Sequence, residues 1–111
     1  MNVYDTANKL AMEIKSSEEY NNFKQAKQKI NLNPEYKIKV AEFEKLRYEQ
    51  QINSIQSGKN DTNQMKKMQE IYKNLIEIEE IKQYFDAELK FNILIGDINK
   101  MIGEAIQDII T

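Results

Sequence analysis

The feature that most constrains this chain is its shortage of turn formers. Its 111 residues contain only three glycines and one proline. Gly and Pro are the strongest local punctuation a sequence has, so a chain that nearly lacks them has few places to reverse. Long helices are the default between those places, and the predicted fold is all-α. It consists of four to five helices, with a long antiparallel helical hairpin onto which shorter N-terminal helices pack. No internal repeat, low-complexity tract or linker divides the sequence, so residues 1–111 are expected to form a single helical domain.

Apolar spacing places the helices. Val3, Ala7, Leu10 and Ile14 follow a 4-3-4 spacing, which predicts a first helix over Asn2 to Lys15, its stripe widened by Met1, Tyr4 and Ala11. Ser16 followed by Glu19 has capping-box spacing and predicts the start of a second helix. Tyr20, Phe23, Ala26 or Lys27, and Ile30 mark its apolar side as far as Leu32. Asn33-Pro34 reads as an N-cap followed by a proline at the first helical position, where a missing N–H costs nothing. The third helix should then run from Pro34 to Ser57 with Gly58 as its stop, about 36 Å at 1.5 Å per residue. It carries two stripes, Ile38, Ala41, Tyr48, Ile52 and Ile55 beside Tyr36, Val40, Phe43 and Leu46, which predicts more than one neighbour.

Gly58 to Asn63 (GKNDTN) is the clearest polar loop, with Asp61 or Thr62 available to cap the next helix. Met65, Met68, Tyr72 and Leu75 form one stripe beyond it. Ile81, Tyr84, Phe91, Ile95, Ile98, Ile102, Ala105 and Ile109 form another that does not share its phase. A break is therefore expected near Ile78 to Ile81, with one uninterrupted helix as the alternative.

Composition excludes much chemistry. There is no cysteine, histidine or tryptophan, which removes thiol redox, Cys/His metal sites and His-dependent catalytic triads. The expectation is a non-enzyme with no catalytic residue, cofactor or metal. The acidic cluster Glu77, Glu79 and Glu80 reads first as a solvated turn, with a divalent cation as the alternative. Sixteen basic against eighteen acidic residues, with Arg47 the sole arginine, leave a net charge of -2. Phosphate binding needs a concentrated positive field, so no nucleic-acid partner is expected. The densest basic stretch, Lys24, Lys27 and Lys29, reads as a solvated face. No membrane span or leader pattern appears, and a cytoplasmic location is expected.

The last helix carries the unusual positions. Glu88 falls where the stripe between Tyr84 and Phe91 should be apolar, so it sits at a rim, pairs with a Lys or Tyr of another helix, or serves an interface. Asn92 and Asn99 flank Ile95 seven residues apart, a spacing that suits either register-setting seam positions or partial exposure. Gly96 and Gly103 share a face and suggest close approach of another helix or, for Gly103, an end that frays. Phe91 to Ile95 (FNILI) is apolar nearly all round, more than one small protomer covers. A homodimer or higher assembly is therefore expected, built on the last helix or on the hairpin. Its surface, or that for another protein, is placed on Glu88, Phe91, Asn92, Ile95, Gly96, Ile98, Asn99, Ile102 and Gly103.

Two segments also carry a family resemblance. VYDTANKLAMEIKSSEEYNNFKQAKQKINLNPE (Val3 to Glu35) resembles the start of the YlbF/YmcA/YheA proteins of low-GC Gram-positive bacteria, and FDAELKFNILIGDINKMIGEAI (Phe85 to Ile106) is similar to their Ala-Glu, aromatic-Asn and LI-x-x-(I/V/L)-N-x-x-I signature. The resemblance implies an all-α domain that forms dimers or larger assemblies without catalysis. It also implies a regulatory adaptor that, with partner proteins, influences the endoribonuclease RNase Y, RNA maturation, competence, biofilm formation and sporulation. Some members bind iron–sulfur clusters through cysteines. This chain has none, which places it nearer the YheA-like branch. Glu88, Phe91, Asn92 and Asn99 match the signature. The competing expectations are a direct RNA-binding module, a purely structural helical oligomer, and a carboxylate-and-metal hydrolase.

Overall fold

A computed structural model describes residues 2–58 and 62–110, and helix accounts for nearly all of them. The order is α1 (Val3–Lys15), α2 (Glu18–Leu32), α3 (Pro34–Ser57), α4 (Thr62–Leu75), α5 (Glu79–Ala105) and a single turn, α6 (Gln107–Ile110). The all-α expectation holds, with α6 one element beyond the four to five helices expected.

Each boundary has a local cause. Asn2 caps α1, its Oδ1 accepting from the N–H of Tyr4 at 2.8 Å. The cap of α2 is Ser17 rather than Ser16, because Ser16 is occupied closing α1, its N–H bonded back to the carbonyls of Met12 and Glu13. Ser17 Oγ then accepts from the N–H of Tyr20 at 3.2 Å. Asn33 caps α3 as expected, its Oδ1 accepting from Glu35 and Tyr36 at 3.1 and 3.2 Å, with Pro34 at the first helical position. Gly58 ends α3 at φ +71°, a left-handed conformation that glycine adopts without a Cβ clash. Thr62 begins α4, and Asp61, the other candidate cap, lies outside the described residues. The break in the fourth hydrophobic segment falls at residues 76–78, with Ile78 in an extended conformation as α5 starts.

The chain reverses between α3 and α4, which form the hairpin, and the break after Leu75 turns α5 to pack chiefly along α2. The α2/α5 pair is antiparallel, since Tyr20 and Phe23 meet Phe91 while Phe23 also meets Tyr84, nearer the start of α5. Ile30, Val40, Phe43, Leu75, Ile81, Tyr84 and Phe85 form the core where the four helices converge, and Ile81 is fully buried. Phe85, off the expected stripe, is buried because α5 is covered from two sides. Its ring meets Phe43 of α3 and Tyr72 of α4 at 5.5 and 5.3 Å. On α3 the core stripe is the one through Val40 and Phe43. On the other stripe Ile38, Ala41, Tyr48 and Ile55 are exposed and Ile52 is half-buried.

This core is small for the chain. The extents are 49 × 37 × 16 Å and the radius of gyration is 17.6 Å, against about 13 Å for a compact domain of this length. The accessible surface is 8926 Å², whereas a compact monomer of this mass exposes about 6,400 Å². The molecule is a thin slab with much of its apolar pattern unused.

Candidate interaction surface

The nine residues singled out on α5 divide at Phe91. Glu88 lies on the protomer's own inner face, where its carboxylate takes both ends of the Arg47 guanidinium from α3, at 3.1 and 3.5 Å. The pairing is bidentate, a geometry only arginine offers. Beside it the Tyr84 hydroxyl donates to Glu44 Oε1 at 2.8 Å. Burial first, and then the Glu44 hydrogen bond and the charges of Glu44 and Glu88, push the Tyr84 hydroxyl above the usual tyrosine range, while Arg47 opposes them. The Arg47 guanidinium also lies 5.7 Å from the centroid of Phe43. Four polar groups thus clamp α3 to α5 at the edge of the aromatic core. The partner of Glu88 is Arg47, not the Lys or Tyr expected. Its distinguishing signal was its being the sole arginine, four residues after core-facing Phe43 and three after Glu44.

Phe91 closes the core, its ring 6.1 and 5.6 Å from those of Tyr20 and Phe23. Beyond it no residue of α5 is buried. Ile95, Ile98 and Gly103 are half-buried, and Asn92, Gly96, Asn99 and Ile102 are exposed. A Cβ added at Gly96 or Gly103 would meet nothing within 4 Å, so the close helix approach that these glycines suggest is absent within the protomer. Ile93, Met101, Ile109 and Ile110 add to an apolar surface on this half of the molecule, each more than half exposed.

The same is true of α1. None of its residues is buried, its contact with α2 is slight, and Val3, Tyr4 and Met12 stand between 69% and 81% exposed.

On the open side of the α2/α5 pair, away from the clamp, runs a shallow groove of about 730 Å³. Ala26, Ala87, Ile93 and Leu94 supply its apolar lining. Glu18, Glu19, Asp86 and Asp97 with Lys29 and Lys90 supply its charged rim. A smaller recess of about 230 Å³ lies between α3 and α4, lined by Phe43, Gln50, Met65, Met68, Gln69 and Tyr72.

Among the described residues no group of three or more acidic side chains is arranged to hold a metal ion, the Glu77, Glu79 and Glu80 cluster included. Among the described residues no helix is long and apolar enough to cross a membrane. Lys24, Lys27 and Lys29 are all exposed, as expected of a solvated face.

Residues 3–107 match the family model described as "Control of competence regulator ComK, YlbF/YmcA". A UPF0342 protein of Symbiobacterium thermophilum is 34% identical over 104 residues, 94% of this chain and 93% of that one. A UPF0342 protein of Halothermothrix orenii is 41% identical over 107 residues, 92% and 86% of the two chains. Among solved structures, Bacillus subtilis RicA in complex with RicF matches with a TM-score of 0.61 at 20% identity, covering 98% of this chain and 96% of that one. That likeness speaks for a shared fold.

Proposed function

The chain belongs to the YlbF/YmcA family, and from that membership we propose that it is a non-catalytic regulatory adaptor of the cytoplasm, acting through protein–protein contact as one helical unit. It pairs with itself and engages another protein. The pathway it serves is RNA processing by an endoribonuclease, or the developmental control of competence, biofilm formation and sporulation. The observation that carries the reading is the thin slab, in which α5 beyond Phe91 has no buried residue and leaves Ile93, Met101 and Ile102 more than half exposed. Large apolar side chains exposed together along one helix mark a candidate interaction site in a folded protein. Ile95, Ile98 and Ile102 supply its apolar contacts, Gly96 and Gly103 allow a partner helix to approach closely, and Asn92 and Asn99 set register. Phe91 and the Arg47–Glu88 pair hold this half of α5 in line with the core. That one solved relative in fold is seen bound to a different protein supports the same mode of action.

The test is capture of partners from the native host by the tagged chain and by an Ile98→Glu variant, with mass spectrometry of what each retains. The proposal expects specific proteins on the parent chain that are lost from the variant. Identical retention by both would place the interaction elsewhere, and retention of nothing specific would refute the adaptor reading.

A further inference from the structure

The α3/α4 hairpin enters the core at its base. Val40 and Phe43 on α3 and Leu75 on α4 are buried, and past them neither α3 out to Ser57 nor α4 from Thr62 has a buried residue. Beyond Arg47 the rest of α3 is an arm about 15 Å long that packs on α4. Tyr48 and Ile55, both exposed, ride on it.

The hairpin bears on α5 at one ring. Phe85 is met by Phe43 from α3 and by Tyr72 from α4, at 5.5 and 5.3 Å and at interplanar angles of 72° and 50°. Ring pairs attract over a range of distances and tilts, so this contact holds the hairpin in place without fixing its angle. Hydrogen bonds are directional, and two sets of them span the same crossing. The Tyr84 hydroxyl donates to Glu44 at 2.8 Å, and the Arg47 guanidinium donates to the Glu88 carboxylate at 3.1 and 3.5 Å. Glu44 and Arg47 are three residues apart on α3, and Tyr84 and Glu88 four apart on α5, so the ties lie one turn from each other on both helices and in the same order. One tie alone would leave a pivot. Two, spaced along the crossing, set the angle.

We propose that the hairpin is a lever, with Phe85 as its fulcrum and the Tyr84–Glu44 and Arg47–Glu88 ties as the latch that sets its angle to α5. Released, the arm swings and changes how Tyr48 and Ile55 are presented relative to the exposed face of α5. A swing of about 20°, the ordinary scatter of helix crossing angles, moves the end of the arm by about 5 Å. The latch is reachable from outside: the Arg47 side chain is 37% exposed and so open to a competing carboxylate from a partner.

The chain has no native cysteine, so a pair of spin labels can be placed by substitution. Gln56→Cys on the arm and Asp97→Cys on α5 lie on the same side of the crossing, each about 14 Å beyond the Arg47–Glu88 tie. Labelled chain is diluted into unlabelled chain, so that pulsed electron resonance reads distances within one protomer. The expected result is one narrow distance in the parent and a distribution about 5 Å broader in Arg47→Ala/Tyr84→Phe, with Arg47→Met/Tyr84→Phe as the second variant should the first fail to fold. A control pair across α2 and α5, Gln28→Cys with Asp97→Cys, should stay narrow throughout. An unchanged Gln56–Asp97 distance in the variant would show that packing alone sets the angle and would overturn the latch. So would a parent already as broad as the variant, or a control pair that broadens equally, since the ties would then be holding the whole fold and not the arm.

Discussion

Arg47 on α3 and Glu88 on α5 face one another across the inner edge of the slab, with the two ends of the guanidinium 3.1 and 3.5 Å from the two carboxylate oxygens. The Glu88 side chain is only 16% exposed and that of Arg47 37%, so the pair is neither a surface ion pair nor a dry one. Removing Arg47 strands a carboxylate with little water to replace its partner. Arg47→Ala is expected to cost about 1–3 kcal/mol and Arg47→Lys somewhat less, since lysine cannot form the fork. Thermal melts of both variants, of Glu88→Gln and of Arg47→Ala/Glu88→Gln check this. A double variant as unstable as the sum of the singles would mean the pair is not coupled.

Tyr84 provides a pH signature. Its hydroxyl has a pKa raised above the usual value of about 10, chiefly by burial. A group whose folded pKa is raised contributes stability that is complete below its unfolded pKa and is lost as pH rises beyond it. The contribution of Tyr84 should therefore be intact at neutral pH and decline above about pH 10. Absorbance titration of the parent chain and of Tyr84→Phe should differ by a tyrosine that ionises late. A difference appearing in the ordinary tyrosine range would contradict the burial argument.

Among the described residues Ile81 is the one fully buried large side chain, set where α5 leaves the break. Ile81→Ala should cost about 2–5 kcal/mol, a large share of the stability of so small a core. Ile102→Glu, at a position 52% exposed, should leave the melt of the protomer nearly unchanged and weaken self-association. Denaturant titration and light scattering across a concentration series distinguish the two. Equal effects on folding from both would mean Ile102 is packed in the protomer.

A net charge of -2 with one arginine and scattered lysines predicts no retention of RNA in filter binding at physiological salt. Binding that falls steeply with added salt would favour a direct RNA-binding module over an adaptor.

The helix plan is legible because its determinants are local. Asn33-Pro34, Gly58 and the phase change before Ile81 act within a turn or two of themselves, and the structure breaks at each. The cap at Ser17 lies one residue beyond the expected Ser16 because two serines compete, and the choice depends on which of them closes α1. Of the two stripes on α3, spacing alone does not say which faces the core, since both are helical in period.

Apolar periodicity thus determined by itself that this protein is a series of long helices with more apolar face than its own core takes up, and the want of His and Cys determined which chemistries it lacks. Only the tertiary structure decided where the surplus lies. Burial depends on which helices cross, and the break at residues 76–78 turns α5 onto α2. That single change of direction encloses Ile81, Tyr84 and Phe85 and brings Glu88 to Arg47, while α1 and the far half of α5 are left without a buried residue.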